Sequence, residues 1–178
     1  MYELIKRIID LILTIAVLIL LAPLLLLIII FIKLESAGPV IDKQVRLGKN
    51  SRQFRLYMFR TMYVAELSQG KEGFTKVGSF LRQTSLNELP SLINVLRGDM
   101  SLVGPRPALP YEVERYEAWQ KERLICTPGM TGYWQVYGKE DTFQEMAKLD
   151  IEYIHKRSVW LDILILLRTP LVVFTKSG

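Results

Sequence analysis

The chain opens with a long, unbroken apolar run, and short apolar stretches alternate with polar ones after it. Over residues 11–32 no side chain is charged, and only Thr14 and Pro23 interrupt the apolar run. At ~1.5 Å per residue a helix of this length reaches about 33 Å, roughly the thickness of a bilayer's hydrocarbon core. The pattern predicts a membrane helix within residues 1–34 and a polar domain over 35–178.

Three arrangements of this helix are open, and the flanking charges favour one of them. A cleaved signal peptide has a shorter apolar core, and a single crossing of the membrane is the simplest alternative. Lys6 and Arg7 precede the run and Lys33 follows it, so the positive-inside bias favours both ends on the cytoplasmic side. Pro23 removes a backbone donor and crowds the preceding turn. A re-entrant helix that breaks at Pro23 is therefore favoured over a spanning one.

The remaining periodicity predicts a small α+β domain that is mainly helical. Strand-like pieces on either side of a turn at 48–51 predict a β-hairpin within residues 40–62. Residues 65–74 are polar and are expected to form a mobile loop. Apolar side chains at helical spacing predict amphipathic helices, some lying at the membrane interface, with loops between them. The helices are expected over about 87–97 with Gly98 as the C-terminal cap, over 111–125, from a cap at Asp141 or Thr142 to about 155–157, and from 159 to Pro170. The loops are expected over 101–110 and 127–139.

Composition narrows the class of protein further. The single cysteine, Cys126, excludes an internal disulfide and fits a reducing compartment. A net charge of +5 favours partners such as anionic lipid headgroups or phosphorylated substrates. The basic residues are scattered among acids and form no nucleic-acid motif, so nucleic acid is discounted as a partner.

The densest set of candidate functional residues lies between residues 80 and 107. Arg82 and Arg106 flank a predicted helix N-terminus, where backbone N–H groups and the helix dipole favour an anion. Guanidinium groups match phosphate geometry, and Glu88 could help to bind a divalent ion, as could Asp99. Two prolines stiffen the backbone around Arg106. Capping is the competing explanation for Asn87, which is a good N-cap residue, and Ser85-x-x-Glu88 is a capping-box pattern.

Several ordered motifs together resemble the bacterial sugar transferases, the monotopic phosphoglycosyl transferases. The motifs are the apolar helix with its proline, Gly38-Pro39-Val40, Phe59-Arg60-Thr61-Met62, Thr84-Ser85-Leu86-Asn87-Glu88-Leu89-Pro90, Gly98-Asp99-Met100-Ser101-Leu102-Val103-Gly104-Pro105-Arg106-Pro107, Pro128-Gly129-Met130-Thr131-Gly132 and Trp160-Leu161-Asp162. The resemblance covers nearly the whole chain and corresponds to the minimal catalytic domain of the family.

The resemblance implies transfer of a sugar 1-phosphate from a nucleotide diphosphate sugar, usually a UDP-sugar, to undecaprenyl phosphate with Mg²⁺. It implies a place on the cytoplasmic face of the bacterial inner membrane, among membrane lipids, and leaves homodimerisation open. The family uses an Asp-Glu pair, whose aspartate forms a phosphosugar-enzyme that the lipid phosphate then attacks. The matching positions here are Asn87 and Glu88, as catalytic and metal-binding residues. The other candidates are Arg60, Arg82, Arg106 and Lys139 for phosphate, and Pro105, Pro107 and Gln135 for the substrate-binding loop.

Two positions depart from the family pattern. Asn87 stands where the family has aspartate, and an amide is a weak nucleophile and a poorer Mg²⁺ ligand. The chain is therefore an engineered variant, a natural variant that uses Glu88 or Asp99, or a natural inactive homologue. A membrane-anchored nucleotide-sugar-binding or scaffold protein is the alternative function. At the second position Lys139 replaces the usual arginine, which keeps the charge and loses the bidentate fork.

Overall fold

The computed structural model describes residues 1–64, 73–140 and 142–176, with side chains up to residue 172. The helices are α1 (Tyr2–Glu35), α2 (Lys76–Gln83), α3 (Leu92–Arg97), α4 (Pro110–Val113), α5 (Tyr133–Tyr137), α6 (Phe143–Lys156) and α7 (Val159–Lys176). The strands are β1 (Ile41–Leu47), β2 (Gln53–Phe59), β3 (Ser101–Val103) and β4 (Gly129–Thr131). Short 3-10 helices occupy Lys49–Ser51, Leu86–Ser91 and Gln120–Ile125.

The predicted hairpin and the mainly helical composition are confirmed. Strands β1 and β2 pair antiparallel, with Ile41 opposite Phe59 and Leu47 opposite Gln53. The main core lies between β2, α3, α6 and α7 and includes Val95, Tyr153 and Ile165. Because the hairpin and α3 share this core, they hold the 3-10 helix Leu86–Ser91 between them. That short helix carries the Asn87-Glu88 pair.

Helix α1 is one continuous helix rather than two arms. The residues on both sides of Pro23 are helical. The helix is therefore not interrupted at the predicted break. A proline inside a helix costs one backbone donor, and the remaining intrahelical hydrogen bonds are enough to carry the helix past it. In its apolar window only 11% of the residues are buried. By length and composition this helix can cross a membrane, and its exposed apolar side chains indicate membrane association.

Both ends of α1 bind the same polar domain. Near its start Lys6 donates to Asp162 of α7 at 2.8 Å. Arg7 donates to the carbonyls of Val95 and Leu96 at the end of α3, at 2.6 and 2.8 Å. At the other end the Glu35 carboxylate accepts from the first backbone N–H groups of α2, at 2.6 and 2.9 Å. The first and last turns of α1 therefore face one domain.

Several predicted boundaries are wrong, and the reasons are tertiary. The predicted loop 101–110 begins with β3, and the predicted loop 127–139 contains β4 and α5, because β3 and β4 pair in parallel. The predicted helix 111–125 is the short α4 followed by a 3-10 helix. The predicted helix 87–97 is a 3-10 helix followed by α3. Helix α7 does not stop at Pro170.

Two predicted helix ends are confirmed, one by its hydrogen bond and one by its backbone conformation. Thr142 caps α6 by accepting from the Glu145 N–H at 3.2 Å. Gly98 ends α3 with φ of 85°, the left-handed conformation that favours glycine. Cys126 belongs to the core. The predicted loop 65–74 falls almost entirely outside the described residues, as does the other proposed cap, Asp141.

Candidate active site

Two cavities meet beside the Asn87-Glu88 pair. The first, here called the polar cavity, has a volume of about 440 Å³. Its walls come from the hairpin, the segment after β2 and the start of the 3-10 helix, and include Arg82, Asn87, Glu88 and Arg106. The second, here called the apolar cavity, has a volume of about 500 Å³ and is bounded on one side by α7. The two cavities share five residues: Arg46, Met58, Ser85, Glu88 and Arg106.

The 3-10 helix Leu86–Ser91 places the pair of residues that the sequence singled out. Ser85 precedes it with φ of 57°, and the Glu88 N–H donates to the Ser85 carbonyl at 3.2 Å. Ser91 is buried and donates from its hydroxyl to the Glu88 carbonyl at 2.6 Å. These bonds hold the backbone of Glu88 from both sides. A chain reversal of this kind turns the side chains of Asn87 and Glu88 into the cavity.

The capping explanation for Asn87 and Ser85 is wrong. The 3-10 helix starts at Leu86, and Ser85, its N-cap residue, makes no side-chain cap. Asn87 lies inside the helix, half-buried against the polar cavity. Among the described residues its amide has no hydrogen-bond partner. The side chain is thus available to a ligand in the cavity.

The Arg106 loop is held by close backbone packing. A Cβ on Gly104 would lie 2.5 Å from the Thr127 carbonyl oxygen, and one on Gly129 would lie 2.1 Å from the Gly104 nitrogen. Only glycine allows the two backbones to approach so closely, so the segments around Gly104 and Gly129 each need a glycine at the contact. The carbonyls of the next three residues all accept hydrogen bonds. The Pro105 carbonyl accepts from the Gly129 N–H at 2.9 Å. The Arg106 and Pro107 carbonyls accept from the guanidinium groups of Arg123 at 3.4 Å and Arg46 at 3.2 Å.

Behind the loop, a buried ion pair supports Arg123. Its guanidinium lies 2.7 Å from the Asp150 carboxylate and also donates to the Tyr116 hydroxyl at 2.8 Å. Burial raises the pKa of Asp150 to about 6, and Arg123 opposes that rise. The main chain around Arg106 is therefore fixed from the protein interior. Its side chain points outward, exposed, to the shared wall of the two cavities.

Charge at the shared wall is dominated by cations around one carboxylate. The Glu88 side chain is exposed to both cavities, and desolvation by their walls raises its pKa. Arg106, Arg46 and Arg82 act in the opposite direction and favour the carboxylate. Three guanidinium groups within electrostatic reach of one acid leave a net positive site, which suits a phosphate or diphosphate.

Arg46 was not among the sequence candidates for the site. It lies on β1 and lines both cavities. Its guanidinium donates to the Pro107 carbonyl and to the side-chain oxygen of Gln44. Burial lowers its pKa, as does the neighbouring Arg106. The sequence showed a hairpin rich in cations. Which of them faces the site depends on how the hairpin packs on the loop at 105–108, and no local pattern carries that information.

The remaining candidates separate into those near the cavities and those away from them. Arg60 lines the polar cavity, but its guanidinium is buried and donates to the carbonyls of Ala37 and Ser36, which hold the end of α1. Pro107 and Gln135 line the apolar cavity, whereas Pro105 is buried and lines neither cavity. Lys139 is exposed and lines neither cavity within the described structure.

Few groups are placed to hold a divalent cation. Within residues 1–64, 73–140 and 142–176 no three His, Cys, Asp or Glu residues cluster. The carboxylates on the polar cavity are Glu88 and Asp42, and both Asp42 oxygens already accept from Lys43 and Gln44. Asp99 lies beside Arg97 and Asn94 instead. One carboxylate with an amide oxygen fits Mg²⁺, which takes one or two carboxylates together with substrate phosphates.

Comparison with known proteins identifies the family. The galactosyl transferase CpsE of Streptococcus agalactiae is 42% identical over 81% of this chain and 36% of its own length. UDP-glucose:undecaprenyl-phosphate glucose-1-phosphate transferases of Escherichia coli and Caulobacter vibrioides are each 41% identical. They cover 99% and 92% of this chain and 41% and 67% of their own lengths. The chain thus spans about two fifths of the first two relatives. The bacterial sugar transferase profile matches residues 1–176, and the chain belongs to that family.

Proposed function

We propose that this protein transfers a sugar 1-phosphate from a nucleotide diphosphate sugar, with UDP as the expected nucleotide, to undecaprenyl phosphate. The observation that carries the proposal is the convergence of Arg46, Arg82 and Arg106 around Glu88 on one polar cavity. Relatives named for this reaction cover nearly the whole chain. The reaction is the first membrane step in assembling a polysaccharide or glycoconjugate.

The chemistry follows from the charges on the cavity walls. Phosphoryl transfer needs the negative charge on the phosphate oxygens to be neutralised as the nucleophile approaches phosphorus. The three arginines supply that neutralisation for the donor diphosphate. Glu88 with the Asn87 amide oxygen would hold Mg²⁺, which polarises a phosphoryl oxygen and neutralises its charge when bound.

Asn87 decides how far this chain follows the route of its family. In that route a carboxylate at this position attacks the sugar-bearing phosphorus, and the bond to the nucleoside monophosphate breaks. The lipid phosphate then attacks the phosphorus and releases the carboxylate. An amide carries no negative charge and is a weak nucleophile. We expect this chain to bind the donor and to turn over slowly, with neither Asp99 nor Asp42 replacing the missing carboxylate.

The Asn87→Asp variant tests the nucleophile assignment. Purified protein is incubated with radiolabelled UDP-sugars, undecaprenyl phosphate and Mg²⁺, and release of UMP is followed. The variant should be at least about tenfold faster, a difference of about 1.4 kcal/mol in the barrier. Asn87→Ala is the matched control and should stay slow. Equal, negligible rates in the parent and Asp chains across several donor sugars would remove Asn87 from the nucleophile position.

The alternative function is a membrane-anchored nucleotide-sugar-binding protein without turnover. The amide at position 87, which keeps the shape of the side chain while losing its charge, is the observation that favours it. This alternative predicts UDP-sugar binding with no UMP release by the parent chain. The two functions therefore separate in one experiment that measures binding and release together.

The membrane arrangement we propose for α1 is re-entrant: the helix stays continuous, bends in the membrane at Pro23 and has both ends on the cytoplasmic side. Support comes from Lys6 and Glu35, which lie near opposite ends of the helix and bind the same domain. In a Cys126→Ala background, cysteines at Leu4 and Leu34, exposed at 67% and 78%, should be labelled from the same side of membrane vesicles. A cysteine at Leu20, exposed at 76%, should be protected by lipid. Labelling of the first two from opposite sides would show a spanning helix.

A further inference from the structure

The walls of the apolar cavity have a different chemistry from those of the polar cavity. Its volume of about 500 Å³ lies within the ~300–1,000 Å³ usual for small-molecule sites. Most of its wall is aliphatic or thioether side chain, including Met100, Leu102, Met130, Val136, Leu166 and Val172. A wall of this kind selects for an apolar occupant.

Away from the charged end, few polar groups on this wall are open to a ligand: the Gln135 side-chain oxygen has no partner among the described residues, whereas two hydroxyls bond each other. The Thr131 and Thr169 hydroxyls form a hydrogen bond of 2.8 Å across it. Burying a sugar or base against such a wall would leave its hydroxyl or amide groups without partners, at a cost of about 1–3 kcal/mol each. A branched hydrocarbon chain has no such cost, and methionine side chains adapt to irregular apolar shapes.

One wall of the cavity is formed by a helix that contacts the membrane helix α1. Helix α7 forms a wall, with Leu166 facing the cavity. The adjacent Leu167 and Trp160 are exposed at 69% and 68%. The same helix is tied to the membrane helix α1 through the bond between Lys6 and Asp162. A hydrocarbon chain lying in the cavity could therefore continue along α7 into lipid.

One end of the cavity carries the shared charges. Arg46 and Arg106 border both cavities, with Glu88 between them. An amphiphile with a phosphate head and an apolar chain would place its head at these arginines and its chain among the methionines. That position brings the head to the wall of the polar cavity, where the donor phosphates would lie.

We propose that the apolar cavity holds the first isoprene units of the lipid acceptor, with the acceptor phosphate at Arg46 and Arg106, beside the polar cavity that receives the donor. This inference rests on the proposed function, because it assigns the second substrate of that reaction to a place of its own. The acceptor phosphate takes its place at these arginines once the nucleoside monophosphate has left, and filling the apolar cavity should leave donor binding intact.

The test compares two neighbouring residues of α7. Leu166 lines the cavity and Leu167 points away from it. Binding of radiolabelled farnesyl phosphate and of UDP is measured on the full chain in lipid nanodiscs. Leu166→Trp should weaken farnesyl phosphate binding at least tenfold and change UDP binding less than twofold. Leu167→Trp should change neither. Met130→Trp fills the cavity from β4 and serves if Leu166→Trp does not fold.

Competing ligands identify which part of the amphiphile is recognised. Unlabelled farnesyl phosphate should displace the probe, whereas inorganic phosphate at the same concentration should not. If the folded cavity-filling variants bind farnesyl phosphate as the parent does, or inorganic phosphate competes equally well, the proposal is overturned. If the same variants lose UDP as well, the two substrates share one cavity and the proposal also fails. A parent chain that binds farnesyl phosphate but not UDP would instead contradict the proposed function.

Discussion

The two cavities are similar in volume and opposite in chemistry, and the short 3-10 helix Leu86–Ser91 lies between them. Asn87 lines only the polar cavity, Leu89 and Ser91 line only the apolar one, and Glu88 lines both. A 3-10 helix has about three residues per turn, so successive side chains point in widely different directions. The comparison shows how a six-residue element, Leu86–Ser91, can place one carboxylate between a charged cavity and an apolar one.

The cavities also differ in how they are built from the chain. The residues of the polar cavity come from two segments, within 39–64 and 82–88, together with Arg106. The walls of the apolar cavity are gathered from residues between Arg46 and Val172, most of them the aliphatic residues of an ordinary core. Charged motifs therefore reveal the first cavity in sequence, while the second resembles packing until the fold is known.

The largest expected effect is at Glu88, the carboxylate that lines both cavities. In the Asn87→Asp background, Glu88→Gln should lower the rate of UMP release by about 10²- to 10⁴-fold, the range for losing an acid–base group. The amide keeps the size of the side chain and removes its charge and its capacity to hold a metal ion. UDP binding serves as the control for folding. A loss of less than tenfold would mean that the shared carboxylate takes no part in the chemistry.

A smaller effect on ligand binding should distinguish Arg106, which lines both cavities, from Arg82, which lines only the polar cavity. Arg106→Ala should weaken both UDP and farnesyl phosphate about tenfold, because a charge-assisted hydrogen bond contributes about 1.5–3 kcal/mol. Arg82 lines only the polar cavity and stacks on the Phe74 ring at 4.7 Å. Arg82→Ala should therefore weaken UDP alone. Binding isotherms for both ligands check the contrast, which disappears if both variants behave alike.

The smallest expected effect is a pH dependence of donor binding. Burial raises the pKa of Glu88 above its ordinary value, so this carboxyl takes up a proton at a higher pH than a free glutamate does. Protonation makes the shared wall more positive, and UDP-glucose should bind severalfold more tightly as the pH falls through that pKa. The titration of Glu88 also makes folding more favourable as the pH falls. A folded-state pKa above the unfolded one favours folding at low pH, and that contribution is lost as the pH rises through the folded pKa.

The matched control for this pH effect is Glu88→Gln. It removes the titrating group and leaves the titration of the ligand and of every other residue in place. The difference between parent and variant affinities across the acid range isolates Glu88. Parallel curves would show that the shared carboxyl does not titrate there.

Much of the fold could be predicted from local patterns. The hairpin, the N-terminal apolar helix, the cap at Thr142 and the left-handed end of α3 at Gly98 depend on hydrophobic period, turn residues and capping, which are short-range properties. The failures depend on distant partners. Strands β3 and β4 are three residues each and exist because their backbones pair with one another, and no periodicity appears in so short a run.

The site divides in the same way. Asn87, Glu88, Arg82 and Arg106 were found from motif spacing, and all four line one cavity. Arg46 was missed because a cation on a hairpin has the same sequence signature whichever way it faces. Arg60 belongs to a motif, but the fold uses its guanidinium to hold the carbonyls of Ser36 and Ala37. A residue type sets which bonds a side chain can form, and its neighbours decide which bonds it does form.

The order of residues alone determined the family, the membrane helix, the charges available for phosphate and the amide at position 87, because these are properties of local composition and spacing. Tertiary structure decided that both ends of α1 meet one domain, that Arg46 joins Arg106 beside Glu88, and that apolar residues from distant segments enclose a second cavity. Those features are contacts between parts of the chain far apart in sequence. Their positions depend on the packing of the whole molecule, and no short segment encodes them.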